Sequence, residues 1–269
     1  MTFGAKLAAA AAHHGSWLCL GLDPEPGRLP AALRGEADPI ARFCREIIAA
    51  TADVVCAFKP NSGFFEAQGT DGMQRLADLI AAVPAGVPVI LDAKRGDIGS
   101  TAEAYARAAF DVLGADAVTL SPYLGGDALA PFLERRDRGC FILCRTSNPG
   151  GAEVQRLRLE DGRPLYLEIA RRAAHEWNAA GNVGLVVGAT FPDEAAAVRA
   201  LCPTLPLLVP GVGAQGGDLA AAVRATRDAA GGGALINASR SILYASSGAD
   251  FAEAARREAL RLRAAIAAA

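Results

Sequence analysis

The sequence lacks several common signals, and each missing signal excludes a class of protein. Its six cysteines are dispersed and none forms a CxxC pair, so we expect reduced, mostly buried thiols rather than disulfides or a zinc site. The three histidines, His13, His14 and His175, lie in helix-like stretches away from predicted strand ends, which argues against a metal site. No basic block interleaved with aromatic residues occurs, so nucleic acid is not an expected partner.

Signals for membrane insertion or export are missing as well. No apolar run reaches the length of a membrane span, and the N-terminal stretch MTFGAKLAAAAAHH lacks the apolar core and cleavage pattern of a signal peptide. We therefore expect no membrane partner and a cytoplasmic location. The 269 residues, 52% hydrophobic and 21% charged, suffice for one large core, and we expect a single domain over residues 1–269.

What the sequence does contain is one repeating unit, in which a short apolar run is followed by a polar turn and an amphipathic stretch. The apolar runs are Trp17–Leu22, Asp53–Phe58, Val87–Leu91, Ala117–Leu120, Gly139–Leu143, Val183–Val187, Leu205–Val209 and Ala234–Ile236. The helical stretches are Pro39–Ala50, Gly69–Val83, Thr101–Leu113, Ala128–Arg136, Leu165–Ala179, Asp193–Leu201, Asp218–Ala229 and a last one from Asp250.

This alternation predicts the fold class. Strands that alternate strictly with helices are parallel and joined by right-handed crossovers, and eight such units indicate a closed (β/α)8 TIM barrel. The competing architecture is an open, doubly wound sheet. That fold requires a glycine fingerprint after its first strand, and the segment LGLDPEPGR does not supply one.

The chemical centre is predicted in residues 87–101, which read VPVILDAKRGDIGST. A buried strand runs into Asp92, and because strand side chains alternate, Asp92 and Lys94 are expected on the same side of its carboxyl end. Asp97 follows in the next turn. Barrel enzymes place their active sites at this end of the strands.

Lysine is scarce, and its positions support this interpretation. Only Lys6, Lys59 and Lys94 are lysines among 27 basic residues. Two of the three follow predicted strands, where a lysine can exchange a proton and an arginine cannot. The alternative is that Lys59 and Lys94 only neutralise Asp92 and Asp97 in a structural ion-pair network.

Two further loops are candidate binding elements. The loop Pro210–Asp218, which contains Gln215, is glycine-rich, and Arg240 follows the next strand. Barrels often bind phosphate with these two loops, so a phosphate site is favoured over an ordinary glycine-rich turn. The long segment Arg145–Pro164, with Ser147 and Asn148 at its polar tip, is either a lid or specificity loop or a disordered insert.

The motifs also resemble a known family. DAKRGDIGST resembles the DxKxxD segment of the orotidine 5′-phosphate decarboxylases, and GLDPEP, FKPNSGFFEAQG, RTSNPG, VPGVGAQGGD and NASRSI agree with the same family. The extended FKPNSGFFEAQG and TSNPG forms are most similar to its bacterial subgroup with long loops. The resemblance implies a barrel enzyme, a carboxy-lyase, that makes UMP and CO₂ from orotidine 5′-phosphate in pyrimidine synthesis without a cofactor or metal.

The resemblance assigns roles within one subunit. It implies that Asp23 and Lys59 contact the ribose hydroxyls, with Lys59 also tied to Asp92. It places Asp92 beside the substrate carboxylate and makes Lys94 the proton donor to C6. It further implies a homodimer with shared active sites, in which Asp97, Ile98 and Thr101 enter the site of the neighbouring subunit.

The remaining implied contacts hold the two ends of the substrate. Ser147 is expected to hydrogen-bond the pyrimidine ring, Pro210 and Val212 to line the pocket, and Gln215 and Arg240 to bind the 5′-phosphate. Two alternatives stay open. A sugar-phosphate decarboxylase of the same superfamily shares the DxKxxD segment but usually needs magnesium, and a non-catalytic nucleotide-phosphate binding protein needs only the phosphate loops.

Overall fold

A computed structural model describes residues 1–212 and 218–269 and contains one parallel sheet of eight strands. The strands are β1 (Leu18–Leu22), β2 (Ala57–Pro60), β3 (Ile90–Arg95), β4 (Ala117–Leu120), β5 (Gly139–Arg145), β6 (Val183–Val187), β7 (Leu207–Val209) and β8 (Ala234–Ala238). Their order is β2-β1-β8-β7-β6-β5-β4-β3. Single bridges from Phe58 to Val89 and from Asn61 to Asp92 join β2 to β3 and bring the sheet round into a barrel. The predicted fold class is confirmed.

Helices follow the strands and pack around the barrel. In the described residues they are α1 (Phe3–His14), α2 (Pro39–Thr51), α3 (Ser62–Glu66), α4 (Gly69–Ala82), α5 (Gly99–Arg107), α6 (Gly126–Leu133), α7 (Ala152–Gln155), α8 (Leu165–His175), α9 (Pro192–Leu201), α10 (Leu219–Thr226), α11 (Arg240–Leu243) and α12 (Phe251–Ala268). A π-helical turn over Ala108–Val112 continues α5. None of the helices in the described ranges is both long enough and apolar enough to cross a bilayer.

Helix α2 illustrates how the sequence sets these elements. Asp38 accepts a hydrogen bond from the backbone N–H of Ala41 at 3.0 Å, and Pro39 occupies the first helical position, where its missing N–H leaves nothing unsatisfied. The helix then buries Phe43 and Ile47 at helical spacing against the barrel. Full burial of two such side chains contributes on the order of 3–6 kcal/mol to stability.

Helix α1 closes the amino end of the barrel, a role that the sequence did not predict. Phe3 and Leu7 pack on the inward-facing side chains of the strands, and the Phe3 ring meets Phe141 edge-on at 5.7 Å. Lys6 Nζ binds Asp116 at 2.8 Å. The amino end is therefore filled, and the open cavity lies at the carboxyl ends of the strands.

Several predicted strand boundaries were wrong, and the second and third strands show the reason. The second strand begins at Ala57 rather than Asp53, because Asp53 lies in the turn after α2 and pairs with Arg256 at 2.5 Å. The third strand runs on to Arg95, so Asp92 and Lys94 lie within it rather than beyond it. Apolar runs mark only the part of a strand that is buried among apolar neighbours, and a charged residue can continue the strand when it finds a partner.

Candidate active site

A cavity of about 400 Å³ opens at the carboxyl ends of the strands. Eight predicted site residues line it together: Asp23, Lys59, Asp92, Lys94, Ser147, Pro210, Val212 and Arg240. Gln215, the other predicted phosphate ligand, lies outside the described residues. The cavity combines polar groups from β1, β2, β3 and β8 with apolar side chains, as small-molecule sites commonly do.

Asp92 is the centre of the polar network. Its Oδ2 accepts a hydrogen bond from Lys59 Nζ at 2.7 Å, and its Oδ1 accepts one from Lys94 Nζ at 2.6 Å. Thr119 Oγ1 donates to the same Oδ1 at 3.0 Å and accepts from the backbone N–H of Lys94 at 2.9 Å. One carboxylate thus fixes two ammonium groups.

The charges of this network stabilise one another. Burial acts to raise the pKa of Asp92, but the attraction of Lys59 and Lys94 outweighs it and leaves the pKa well below its usual value. Burial acts to lower the pKa of Lys59, but the carboxylates of Asp92 and Asp23 outweigh it and raise the pKa above its usual value. Both groups therefore remain charged at neutral pH.

The two lysines differ in access to the cavity. The side chain of Lys59 is 4% exposed, whereas that of Lys94 is 47% exposed. Lys94 also has a φ of 47°, in the left-handed region that residues other than glycine rarely adopt, and the register of β3 with β4 shifts between Leu91 and Arg95. The strand is therefore irregular where Lys94 meets Asp92 at the mouth of the barrel, so simple alternation does not fully account for their contact.

Three predicted site residues lie outside the cavity of their own chain. Asp97, Ile98 and Thr101 are not among the side chains that line it. Asp97 Oδ1 accepts a hydrogen bond from the backbone N–H of Ile98 at 2.8 Å, and the Ile98 side chain is 61% exposed. Their predicted contribution to a neighbouring subunit stays a prediction.

On the side of the cavity formed by β7 and β8, Arg240 is the cationic group. It follows β8 at the start of α11, is exposed, and makes no ion pair with any described residue. Pro210 and Val212 form the adjoining apolar wall. A guanidinium group that is not neutralised by a carboxylate suits an anionic group of a ligand.

The segment that carries Ser147 is anchored at its base. Arg145, completely buried at the end of β5, forms a salt bridge with Glu194 of α9, and its guanidinium carbon lies 3.9 Å from the Phe191 ring centre. Gln155 of α7 accepts a hydrogen bond from the backbone N–H of Thr146 at 2.9 Å. The long segment is therefore built around helix α7 rather than being a disordered insert, and closure over the cavity stays a prediction.

Sequence reasoning missed several lining residues. Thr119 lies inside a strand whose apolar run concealed it, Asn237 follows the predicted eighth run but was given no role, and Asn61 follows β2 two positions after Lys59. Strand alternation was the available signal, since residues two positions apart point to the same side of a strand. Asn148, whose role the sequence left open, lines the cavity and binds Thr146 Oγ1 through its Oδ1 at 2.7 Å.

The fold and the cavity together define a (β/α)8-barrel protein with a paired lysine–aspartate site at the carboxyl ends of its strands. A sequence model of the orotidine 5′-phosphate decarboxylase / HUMPS family matches residues 16–257, and the chain belongs to this family.

Individual relatives agree with the family. The chain is 60% identical over 266 residues to the orotidine 5′-phosphate decarboxylase of Roseiflexus sp. (strain RS-1), covering 99% of this chain and 97% of that protein. It is 57% identical over 264 residues to the one from Ralstonia pickettii (strain 12J), covering 98% and 97%. The solved structure of Leishmania donovani OMP decarboxylase superposes with a TM-score of 0.86 at 45% identity, covering all of both chains.

Proposed function

We propose that the protein converts orotidine 5′-phosphate to UMP and CO₂ and that Lys94 donates the proton to C6 of the pyrimidine. The observation that carries the proposal is the pair of salt bridges from Lys59 and Lys94 to Asp92 inside the same cavity that Arg240 lines. The relatives named above carry the name of this activity. In this role the protein acts in de novo pyrimidine synthesis in the cytoplasm.

The reaction needs a positive charge at the reacting carbon. The bond from C6 to the carboxylate breaks, CO₂ leaves, and the electron pair stays on C6 as a localised carbanion. An ammonium group held at that carbon stabilises the transition state more than the ground state, because negative charge moves toward it as the bond breaks. Lys94 then transfers its proton to C6, and its neutral amine takes a proton from solvent.

Asp92 holds this lysine in place. Each of its two oxygens accepts a hydrogen bond from one ammonium group. The carboxylate therefore orients Lys94 through Oδ1, while Lys59 neutralises the negative charge at Oδ2. The substrate carboxylate would approach Asp92 closely, and repulsion between them would favour its departure. We assign the orienting role first because the salt-bridge geometry supports it directly.

The remaining groups bind the parts of the substrate that do not react. Arg240 binds the 5′-phosphate, Asp23 and Lys59 contact the ribose, and Ser147 contacts the pyrimidine ring. Binding energy from the distant phosphate serves to position the ring and exclude water. Asp97 reaches the site of a second copy in a homodimer, which agrees with its location outside the cavity of its own chain and with the exposed Ile98 beside it.

The test is the fall in ultraviolet absorbance of orotidine 5′-phosphate on addition of chelator-treated protein, with UMP identified by chromatography. We expect turnover that survives EDTA. Binding of UMP without turnover would instead indicate a nucleotide-phosphate binding protein, and magnesium-dependent activity on a sugar phosphate would indicate the other branch of the family. Glu66, an acidic residue in the helix that follows β2, is a poor magnesium ligand because it is already paired with Arg95 at 2.5 Å.

A further inference from the structure

Asn237 is a buried polar side chain on the inner face of the barrel. It lies in β8 beside Cys19 of β1, lines the cavity, and is only 7% exposed. Its Oδ1 is inaccessible to solvent and has no hydrogen-bond partner among the described residues. A strand position of this kind normally carries an apolar side chain, because an unpaired buried polar atom is destabilising.

A second unpaired oxygen lies in the same cavity. Asp23, which follows β1, has a buried Oδ1 that likewise lacks a partner in the parts of the chain that the structure describes. In the register of these adjacent parallel strands Asn237 pairs with Cys19, whereas Asp23 follows the end of β1, and both side chains line the same cavity. Buried polar groups in native proteins are nearly always paired, so two such oxygens in one cavity indicate a ligand that pairs with them.

The chemistry of the two oxygens selects the ligand group. Both are acceptors, so they repel phosphate and carboxylate and bind a group that donates hydrogen bonds. A sugar hydroxyl fits, because it can donate a hydrogen bond to either oxygen. If the Asn237 amide is flipped, the same hydroxyl can accept a hydrogen bond from the amide nitrogen. The exocyclic groups of the pyrimidine are expected at Ser147, on the opposite side of the barrel.

We propose that Asn237 binds a ribosyl hydroxyl of the nucleotide and thereby contributes to the selection of ribonucleotides over deoxyribonucleotides. The inference rests on the proposed function and adds a specificity-determining residue to it. A site built around a hydroxyl discriminates against a ligand without that hydroxyl, because the buried polar group is then left unpaired.

The experiment compares UMP, 2′-deoxy-UMP and 3′-deoxy-UMP binding to the wild type and to Asn237→Leu by titration calorimetry. Leucine has the same number and branching of side-chain heavy atoms and cannot form a hydrogen bond. We expect the substitution to weaken UMP binding about tenfold, because one hydrogen bond is lost. The deoxy analogue that lacks the hydroxyl bound by Asn237 should keep nearly the same affinity, because it never forms that hydrogen bond. Asn237→Ala provides a second variant with the same expected pattern if the leucine variant does not fold.

Equal weakening of all three ligands, or no weakening of any, would overturn the assignment. The outcome is independent of the decarboxylation test, because calorimetry with UMP requires no turnover. If the wild type decarboxylates orotidine 5′-phosphate but Asn237→Leu shows no selective loss, only this inference fails. If the wild type binds none of the three nucleotides, the proposed function fails with it.

Discussion

Lys94 and Asp92 form a 2.6 Å salt bridge at the open end of the barrel. The partner carboxylate is 12% exposed, but the lysine side chain is 47% exposed. The salt bridge therefore fixes the position of the Lys94 ammonium group while leaving part of the lysine side chain accessible from the cavity. Lys59 completes the network. It binds the second oxygen of the same carboxylate, and its side chain is almost fully buried.

The Lys59–Asp92 pair predicts a defined dependence of stability on pH. The pKa of Asp92 is lowered in the folded protein, so its contribution is present above the unfolded pKa of about 4 and is lost as pH falls through the folded value. The pKa of Lys59 is raised, so its contribution is present below the unfolded pKa of about 10 and is lost as pH rises through the folded value. Both contributions are complete at neutral pH.

Asp92→Asn is expected to lower the free energy of unfolding by about 3 kcal/mol at pH 7, because it leaves the ammonium group of Lys59 buried without its main partner. Urea denaturation measures the change, and the difference from the wild type should shrink below about pH 4. Asp97→Asn is the matched control, since Asp97 is only partly buried and its one described side-chain bond is to a neighbouring backbone N–H. Equal destabilisation by both variants would contradict the account.

Arg240 predicts selective loss of phosphate affinity. Arg240→Ala is expected to weaken UMP binding about 100-fold, because charge-assisted hydrogen bonds to phosphate are lost, and to leave uridine binding unchanged. Titration calorimetry with both ligands measures the effect. Arg136→Ala, an exposed arginine on the turn that leads into β5 at the opposite end of the barrel, serves as the control. Parallel loss of both ligands would argue against a phosphate contact.

Asp97 and Lys94 predict complementation between inactive variants. Mixing Asp97→Ala with Lys94→Ala should restore roughly a quarter of wild-type turnover, since about half of the dimers are mixed and each has one intact site. Mixing Asp92→Asn with Lys94→Ala should restore nothing, because those two residues belong to one site in one chain. An inactive first mixture, with subunit exchange verified by native mass spectrometry, would exclude a shared site.

The anchored base of the Ser147 segment predicts an effect on substrate binding at a distance. Gln155→Ala removes the hydrogen bond that Gln155 accepts from the Thr146 backbone N–H and the one that it donates to Thr146 Oγ1. The variant is expected to raise KM about tenfold while lowering Tm by only a few degrees. Steady-state kinetics and thermal unfolding measure both. Arg158→Ala is the control in the same segment, since its described bond is to the Gly162 carbonyl. An unchanged KM would show that the anchor does not position Ser147.

The sequence was sufficient for the barrel because the alternation of strands and helices follows from local periodicity, and eight of the predicted site residues line one cavity. The predicted meeting of Asp92 and Lys94 is confirmed, but the alternation argument gave an incomplete reason, since a left-handed backbone at Lys94 and a register shift contribute to it. The closure of the amino end of the barrel by α1 was missed, because the sequence of an alanine-rich helix does not indicate which surface the helix covers. Asn237 was missed because it follows the predicted apolar run, and nothing in the sequence shows that β8 continues to Ala238 with Asn237 on its inner face.

The proton-donor role of Lys94 is the central claim, and single-turnover decarboxylation of orotidine 5′-phosphate by Lys94→Ala tests it most directly. UMP affinity and thermal unfolding are measured on the same preparation, and since the Lys94 side chain is half-exposed we expect both to change little. The account predicts a loss of decarboxylation of at least about 10⁴-fold, because the substitution removes both the charge that stabilises the transition state and the general acid that donates the proton. Turnover within about tenfold of the wild type would contradict it.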